Sequence, residues 1–166
     1  MKTNQRIRRS ITVGGAVLFM MTFTCMLPVF TLAQKEASKA KSLAQKLVET
    51  TQAKHPELDE VGISATTASG CRGIASTDKS DIGEKCEKDD LAPMQTGKPF
   101  VEKEKDGYDI SVPLHDSTGK IIGTLGIGFK PAAGQTEASL TEQAQKIAAE
   151  MEAQIPSKAK LLARSE

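Results

Sequence analysis

Aromatic residues are scarce in this chain of 166 residues, which has no tryptophan, one tyrosine and five phenylalanines. Beyond residue 33 only Phe100, Tyr108 and Phe129 remain. The core of the folded part must therefore be built from aliphatic side chains. An aromatic cage for a quaternary ammonium group needs several ring faces around one point, so the sequence argues against such a cage.

The first 33 residues contain no acidic residue. Their basic residues all lie before residue 10, residues 11–30 are uncharged and largely apolar, and small residues precede Gln34. This order is typical of a cleaved secretory signal. Residues 1–33 are therefore predicted to be a signal peptide, and the rest of the chain to be periplasmic or secreted. A retained membrane anchor is the alternative, because about 20 apolar residues can span a bilayer.

An excess of basic charge is also lacking. Loss of residues 1–33 would remove four of the 22 basic residues and none of the 21 acidic ones, which leaves a net charge of −3. Proteins that bind nucleic acid carry a basic patch that neutralises phosphates. The predicted exported part has no such footprint, so no nucleic-acid partner is expected.

Cysteine is rare, and the chain contains no CxxC motif. Cys25 lies in the predicted signal, and Cys71 and Cys86 lie beyond it, with fourteen residues between them. In an oxidising compartment an even pair is predicted to form a disulfide. Closing a loop of this length is worth about 3 kcal/mol by the chain-entropy argument. A thiol redox switch is one alternative. A metal or haem site assisted by His55 or His115 is another, although no cofactor and no metal are assigned here.

Catalytic motifs are absent from the sequence as well. There is no nucleophile elbow, and neither His55 nor His115 lies in a recognised local motif. Paired carboxylates occur only in runs mixed with lysine, such as residues 102–106. The sequence therefore predicts a protein that is not an enzyme.

Residues 110–129 carry the clearest structural signal in the chain. Apolar residues alternate with polar ones from Ile110 to Leu114, residues 116–119 have turn chemistry, and a glycine-rich strand follows. This pattern indicates a β-hairpin. Glycines this dense in a strand usually mark a place where a ligand or another backbone comes close.

The remaining elements complete an α+β plan. Residues 35–54 have the apolar spacing of an amphipathic helix that ends before Pro56. Two strands follow, then a polar loop with a short helix over residues 77–95, and a third strand near Phe100. A second amphipathic helix is predicted from an N-cap at Ser139, with a loose tail over residues 156–166. The helix is expected to pack on the sheet, with a homodimer through the terminal helices as the alternative.

We therefore predict a five-stranded antiparallel sheet with a long N-terminal helix and a C-terminal helix gathered on one face. The opposite face, under residues 77–95, is the expected cavity. The predicted boundaries are a ligand-binding domain over residues 34–131, and an amphipathic helix with its tail over residues 132–166.

Several of these pieces together resemble Cache domains, the PAS-like extracytoplasmic sensor modules of bacterial receptors. The matching residues are Gly70, Arg72, residues 74–76, residues 78–83, Gly97-Lys98 and residues 112–129. The resemblance implies a pocket between the sheet and the loop above it, usually for carboxylates, amino acids or similar metabolites.

The resemblance also points to positions that contact the ligand. Where citrate-binding members have an Arg and a His, this chain has Gly73 and Ser76, with Arg72 one residue out of register. Where they have an Arg and a Lys, it has Asp109 and Ser111. The cationic clamp for a multi-carboxylate is thus mostly missing. The predicted ligand-binding residues are Arg72, Ser76, Asp109 and Ser111, which could hold a cationic or amine head group. The alternative for Asp109 is a solvated strand residue.

The predicted function is that of an exported solitary Cache-type sensor or binding module. Its ligand would be a small metabolite (an amino acid, an amine or an organic acid), and it would act with a membrane sensor partner. The alternative is a non-catalytic interaction or scaffold subunit whose pocket is vestigial.

Overall fold

The computed structural model describes residues 41–103, 105 and 107–164. The predicted signal peptide, residues 1–33, lies outside the described residues, as does the start of the predicted N-terminal helix. Among the described residues, no helix is both long and apolar enough to cross a membrane.

The described chain forms four helices and five strands. The helices are α1 (Leu43–Lys54), α2 (Lys88–Thr96), α3 (Glu137–Glu152) and α4 (Lys158–Leu162). The strands are β1 (Leu58–Thr67), β2 (Gly70–Ser76), β3 (Phe100–Lys103), β4 (Tyr108–His115) and β5 (Ile121–Phe129). They form one sheet in the order β2-β1-β5-β4-β3, and every neighbouring pair is antiparallel. The predicted α+β class with a five-stranded antiparallel sheet is confirmed.

Local chemistry sets the ends of these elements. The Ser42 side chain caps α1 by accepting a hydrogen bond from the Gln45 amide at 3.1 Å, and α1 stops at His55 ahead of Pro56. In the turn between β4 and β5, Asp116 accepts a hydrogen bond from the Thr118 amide, and Gly119 has a φ of +79°. A side chain is disfavoured at that φ, so the glycine permits the hairpin.

An aliphatic core fills the space between one sheet face and α1, α3 and α4. Apolar side chains of β1, β4 and β5 meet the apolar stripes of the helices, and burial is complete or nearly so for most of them. The main contributors are Leu47, Val48, Val61, Ile63, Ile110, Val112, Leu114, Leu125, Ile127, Ala144, Ile147, Met151, Ile155 and Leu161. The stripe of α3 is thus buried against its own sheet.

Two predictions about the C-terminal part are wrong. The long helix begins one turn earlier than expected, because Thr136 rather than Ser139 is its N-cap and the two side chains form a capping box. The described part of the tail, residues 156–164, is not loose. It forms α4, in which Leu161 is fully buried, and the Leu43 amide donates to the Ala163 carbonyl at 3.2 Å. The sequence pattern is too short there to reveal packing against α1.

Candidate ligand-binding groove

An open groove of about 250 Å³ lies on the sheet face opposite the helices α1 and α3. Its floor comes from β1, β2, β4 and β5, and its wall comes from residues 81–90. The described residues that line it are Glu60, Gly62, Ile63, Ser64, Gly73, Ala75, Ser76, Asp81, Glu84, Lys85, Glu87, Asp89, Asp90, Asp109, Ser111, Gly126, Ile127 and Gly128.

Glycines deepen the groove, because they add no side chain to its floor. Gly62 and Gly126 are cross-strand partners, and Gly126 is also the partner of Ser111. A Cβ at Gly62 would lie 3.8 Å from its nearest neighbours, and one at Gly126 would lie 3.9 Å from Ser111 Oγ. These are ordinary van der Waals distances, so a small side chain would fit above either glycine without a clash. Gly123 differs, since a Cβ there would lie 2.5 Å from the Ser64 carbonyl oxygen.

The wall is bonded to β2 through its backbone. The Gly73 amide donates to the Glu84 carbonyl at 3.0 Å, and the Gly83 amide donates to the Gly73 carbonyl at 2.9 Å. A Cβ at Gly73 would collide with the Asp81 carbonyl oxygen. Only glycine at position 73 therefore lets the wall approach β2 this closely.

The cysteine pair ties the same two segments together. Cys71 on β2 and Cys86 in the wall lie at disulfide-bonding distance, with their Cα atoms 5.3 Å apart. The Cys86 amide also donates to the Cys71 carbonyl at 3.2 Å. The end of the wall next to α2 is thus held to the sheet by a covalent and a hydrogen-bonded link.

The first turn of helix α2 forms part of the wall of the groove. Glu87 and Asp90 form a capping box at its first turn, and Thr124 Oγ1 on β5 donates to the Asp90 carbonyl at 2.6 Å. Thr124 is fully buried. This bond fixes the start of α2 on the sheet, with the acidic first turn at the rim of the groove.

A buried hydroxyl in the lining of the groove lies between two carboxyl groups. Ser76 Oγ is 3.2 Å from Glu60 Oε1 and 3.0 Å from Asp81 Oδ2, and it accepts a hydrogen bond from the Asp78 amide. A hydroxyl has one hydrogen to donate, so it cannot serve both carboxylates at once. A hydrogen bond between Glu60 and Asp81, burial, and repulsion by Asp81 together raise the pKa of Glu60 to about 7.

Carboxylates dominate the charge of the groove. Its acidic residues are Glu60, Asp81, Glu84, Glu87, Asp89, Asp90 and Asp109. Lys85 is the one basic residue among the described residues that line it. In the described ranges, no lysine or arginine lies within ion-pair distance of Glu60 or Asp81. The potential inside the groove is therefore negative.

Three of the four predicted ligand-binding residues line this groove. Ser76, Asp109 and Ser111 come from β2 and β4, as strand alternation requires. Arg72 does not line it: its Nη1 atom donates to the Gly83 carbonyl at 2.8 Å and so supports the wall.

Sequence reasoning missed Glu60 and Asp81. Glu60 lies two residues before Gly62 on β1, so period-2 alternation could have placed it on the same face. Asp81 belongs to the loop, and no local pattern shows that its carboxylate returns to Ser76.

The two histidines lie elsewhere. His115 Nδ1 is 2.6 Å from Glu152 Oε1 on α3, and His55 Nδ1 is 3.3 Å from Glu57 Oε1. Among the described residues, no group of three His, Cys, Asp or Glu side chains is arranged to hold a metal ion.

Comparisons with known proteins concern the fold. No protein-family model matches this sequence, and no curated protein matches it. Similar solved structures include the repressor BlcR of Agobacterium tumefaciens, with a TM-score of 0.51, 11% identity, and coverage of 75% of this chain and 72% of that one. The fRMsr of Staphylococcus aureus in complex with its substrate has a TM-score of 0.51 at 12% identity, over 68% of this chain and 81% of that one. The GAF domain of a two-component sensor histidine kinase from Bacillus halodurans has a TM-score of 0.48 at 13% identity, over 66% of this chain and 91% of that one.

The fRMsr structure corrects one prediction. It is a methionine sulfoxide reductase, and therefore an enzyme. The absence of local catalytic motifs does not exclude catalysis in such a fold, so the prediction that the chain is not an enzyme is wrong. At 12% identity the likeness shows the fold alone and assigns no reaction to this chain.

The two structures with a TM-score of 0.51 share the fold of this chain, and neither is named as a Cache domain. Membership of the Cache group stays a prediction. The described part of the chain has a PAS-like α+β fold with a five-stranded antiparallel sheet.

Proposed function

We propose that this chain is a module that binds a small metabolite in the groove between the sheet and residues 81–90. One observation carries the proposal. The sheet face away from the core is not filled by side chains but forms an open, polar concavity of about 250 Å³ over a glycine floor. Concave sites with convergent polar groups are the usual form of ligand sites.

The cellular setting is part of the same proposal. A cysteine pair at disulfide distance fits an oxidising compartment, which supports a periplasmic or secreted module. The Cache-like motifs support a sensory role, in which a membrane sensor partner reads whether the groove is occupied. The predicted ligand classes were amino acids, amines and organic acids, and the acidic lining favours the first two.

Thermal unfolding of the full-length protein tests the proposal. Amino acids, amines and organic acids would each be added at high concentration. A ligand at 100 times its Kd stabilises the folded state by about 2.7 kcal/mol, which raises Tm by roughly 8 °C for a domain of this size. We expect one chemical class to produce such a shift.

A variant that fills the groove makes the test specific. Gly62→Val places bulk on the floor, whereas Ala68→Val adds bulk in the exposed β1–β2 turn and serves as the control. We expect the ligand shift to disappear only in Gly62→Val. No shift with any class, or a shift that survives Gly62→Val, would contradict binding in the groove and favour an interaction or scaffold role.

Proton-transfer catalysis in the same groove is a second candidate. It is favoured by Glu60, whose pKa of about 7 suits a general acid or base and whose partners Ser76 and Asp81 hold it in place. NMR of each stabilising compound, incubated with the protein, tests for turnover. Turnover that Glu60→Gln abolishes while binding persists would establish this candidate, and the absence of any chemical change would reject it.

A further inference from the structure

We propose that the groove takes a compact organic cation with a protonated amine, held by the carboxylates of Glu60, Asp81 and Asp109. The hydroxyl of Ser111 would bind a second polar atom of the same molecule. This inference rests on the proposed function, because it names the class of ligand for that site.

The sign of the charge is the first step. Carboxylates line the groove from the sheet, the wall and the first turn of α2, and Lys85 is the basic residue among the described lining residues. An anionic ligand would meet repulsion from all three sides, and it would find no arginine to pair with in the described lining. The same negative potential would stabilise a bound cation.

The second step is that two carboxyl groups meet in the groove and a third borders the same region. Glu60 and Asp81 are linked through Ser76 Oγ, as described above. Asp109 reaches the same region from β4. A Cβ built on Gly128 would lie 3.1 Å from Asp109 Oδ1 and 3.5 Å from Glu60 Cβ, so both side chains border the space above that glycine. An ammonium group has up to three N–H donors, so it can bond to the Glu60 and Asp81 pair while Asp109 adds negative charge from β4.

Ser111 supplies an independent observation that points to a ligand. It is 5% exposed and lines the groove, and its Oγ atom lies near the open space above Gly126. Among the described residues, no side-chain hydrogen-bond partner of Ser111 is found, whereas Ser76 has three. No enclosed side-chain N or O atom of the described residues lacks a hydrogen-bond partner, so the Ser111 hydroxyl is open to the groove, where it can bind a polar atom that enters.

The lining also narrows the kind of cation. The described residues do not bring three ligating side chains together as a metal ion requires. A quaternary amine is best held by aromatic faces, and the lining contains none. A primary or secondary amine suits carboxylates and hydroxyls, because it has N–H donors. A volume of about 250 Å³ lies below the usual range for drug-sized ligands, so the molecule is small.

Isothermal titration of the full-length protein at pH 8 with four-carbon probes of equal length tests the sign of the charge. The probes are butane-1,4-diamine, butane-1,4-diol and butanedioate, with a wider set of primary amines and amino acids and with Ca²⁺ alone. We expect amines to bind at least tenfold more tightly than the matched diol, and butanedioate not to bind.

Substitutions of groove residues then test whether the amine binds in the groove. Glu60→Gln and Asp109→Asn each remove a charge with little change of shape, and either should weaken amine binding by about tenfold or more. Ser111→Ala should weaken binding by about fivefold for amines that carry a second polar group, and not for simple alkylamines. Glu142→Gln, which removes an exposed carboxylate on α3, is the matched control and should leave affinity unchanged.

The outcomes separate this inference from the proposed function. If butanedioate, the diol or Ca²⁺ binds better than every amine and Gly62→Val blocks it, the groove is a ligand site but the amine class is wrong. If the Glu60→Gln and Asp109→Asn variants bind amines as tightly as the unmodified protein does, the two carboxylates do not hold the amine. If no probe of any class binds, both the inference and the proposed function fail.

Discussion

Ser76 is the residue that most constrains the chemistry of the groove. Its side chain is 2% exposed and stands between Glu60 and Asp81, so the two carboxyl groups cannot separate without breaking a buried hydrogen bond. Two negative charges held this close repel each other. The hydrogen bond between a protonated Glu60 and Asp81 is the main reason why the pKa of Glu60 rises to about 7, and burial and this repulsion raise it further.

This arrangement predicts a dependence of stability on pH. The ordinary pKa of Glu60 is 4.5, and the folded protein raises it to about 7. Between these values the folded state binds more protons than the unfolded state, so stability falls as pH rises from about 4.5 through 7. Glu60→Gln mimics the protonated form. At pH 8 we expect it to raise the free energy of unfolding, because it removes the repulsion between the two carboxylates. The gain should be only about 1 kcal/mol, because solvent in the open groove screens that repulsion.

Urea unfolding at pH 4.5, 6 and 8 measures this effect. The gain from Glu60→Gln should be near zero at pH 4.5 and largest at pH 8. Glu142→Gln is the control. The pKa of Glu142 is lowered by Lys146, whereas the pKa of Glu60 is raised, so removing the Glu142 charge should not stabilise the protein at pH 8. A loss of stability in Glu60→Gln at pH 8 would contradict the shared proton.

The residues of this site differ in how far the sequence could predict them. Ser76, Asp109 and Ser111 follow from strand alternation, since alternate residues of a strand lie on one face. Arg72 was one position out of register, and it bonds the wall instead. Asp81 could not be predicted from alternation, because its position depends on how the loop after β2 folds back. That path is set by tertiary packing at Gly73.

At the scale of elements, the wall and β2 form one unit because position 73 has no side chain. The backbone of residues 83 and 84 pairs with Gly73, and the Asp81 carbonyl occupies the place of a Cβ. The groove therefore owes its depth to a close contact between backbones. The wall carries Asp81 and Glu84, so any outward shift of this segment also moves the charges that line the site.

Gly73→Ala should displace the wall. We expect it to lower the free energy of unfolding by about 1–3 kcal/mol, because an overpacked contact with backbone cannot be relieved by a rotamer change. Hydrogen exchange should increase at the amides of residues 73 and 83, which donate the two hydrogen bonds between β2 and the wall. Gly62→Ala is the matched control, because a Cβ there would meet only ordinary contacts at 3.8 Å or more. Equal effects of the two substitutions would contradict this account.

The helices show what local pattern can and cannot establish. The apolar stripe of α3 was visible in the sequence, and its residues are buried as expected. Its start was wrong by one turn, because Thr136 and Ser139 are both good caps and only the folded chain selects between them. The strand order β2-β1-β5-β4-β3 also depends on contacts far apart in sequence, such as Gly62 with Gly126.

At the scale of the whole molecule, the two ends of the described chain meet. Ser42 forms a β-bridge with Arg164, and the Leu43 amide donates to the Ala163 carbonyl. Helix α4 thus covers the start of α1, and the Ser117 amide donates to the Ile155 carbonyl just before it. A five-residue helix is too short to be stable alone, so its apolar contact with the core holds it in place.

Two adjacent leucines test the contribution of this tail. Leu161 is fully buried and Leu162 is 38% exposed. We expect Leu161→Ala to lower the free energy of unfolding by about 3 kcal/mol through loss of apolar burial and creation of a cavity. Leu162→Ala should cost less than about 1 kcal/mol. Denaturant unfolding of both variants measures the difference, and a loss below about 1 kcal/mol for Leu161→Ala as well would show that α4 contributes little.

The link between Cys71 and Cys86 makes the structure of the groove depend on whether the protein has been oxidised. The residues on either side of Cys86 line the groove, and the bond fixes them to β2. A molecule that has never met an oxidant would have the same sequence and sheet but a less constrained rim. For the proposed binding role, the redox conditions met during folding would then set the fraction of molecules whose rim is held in place for a ligand.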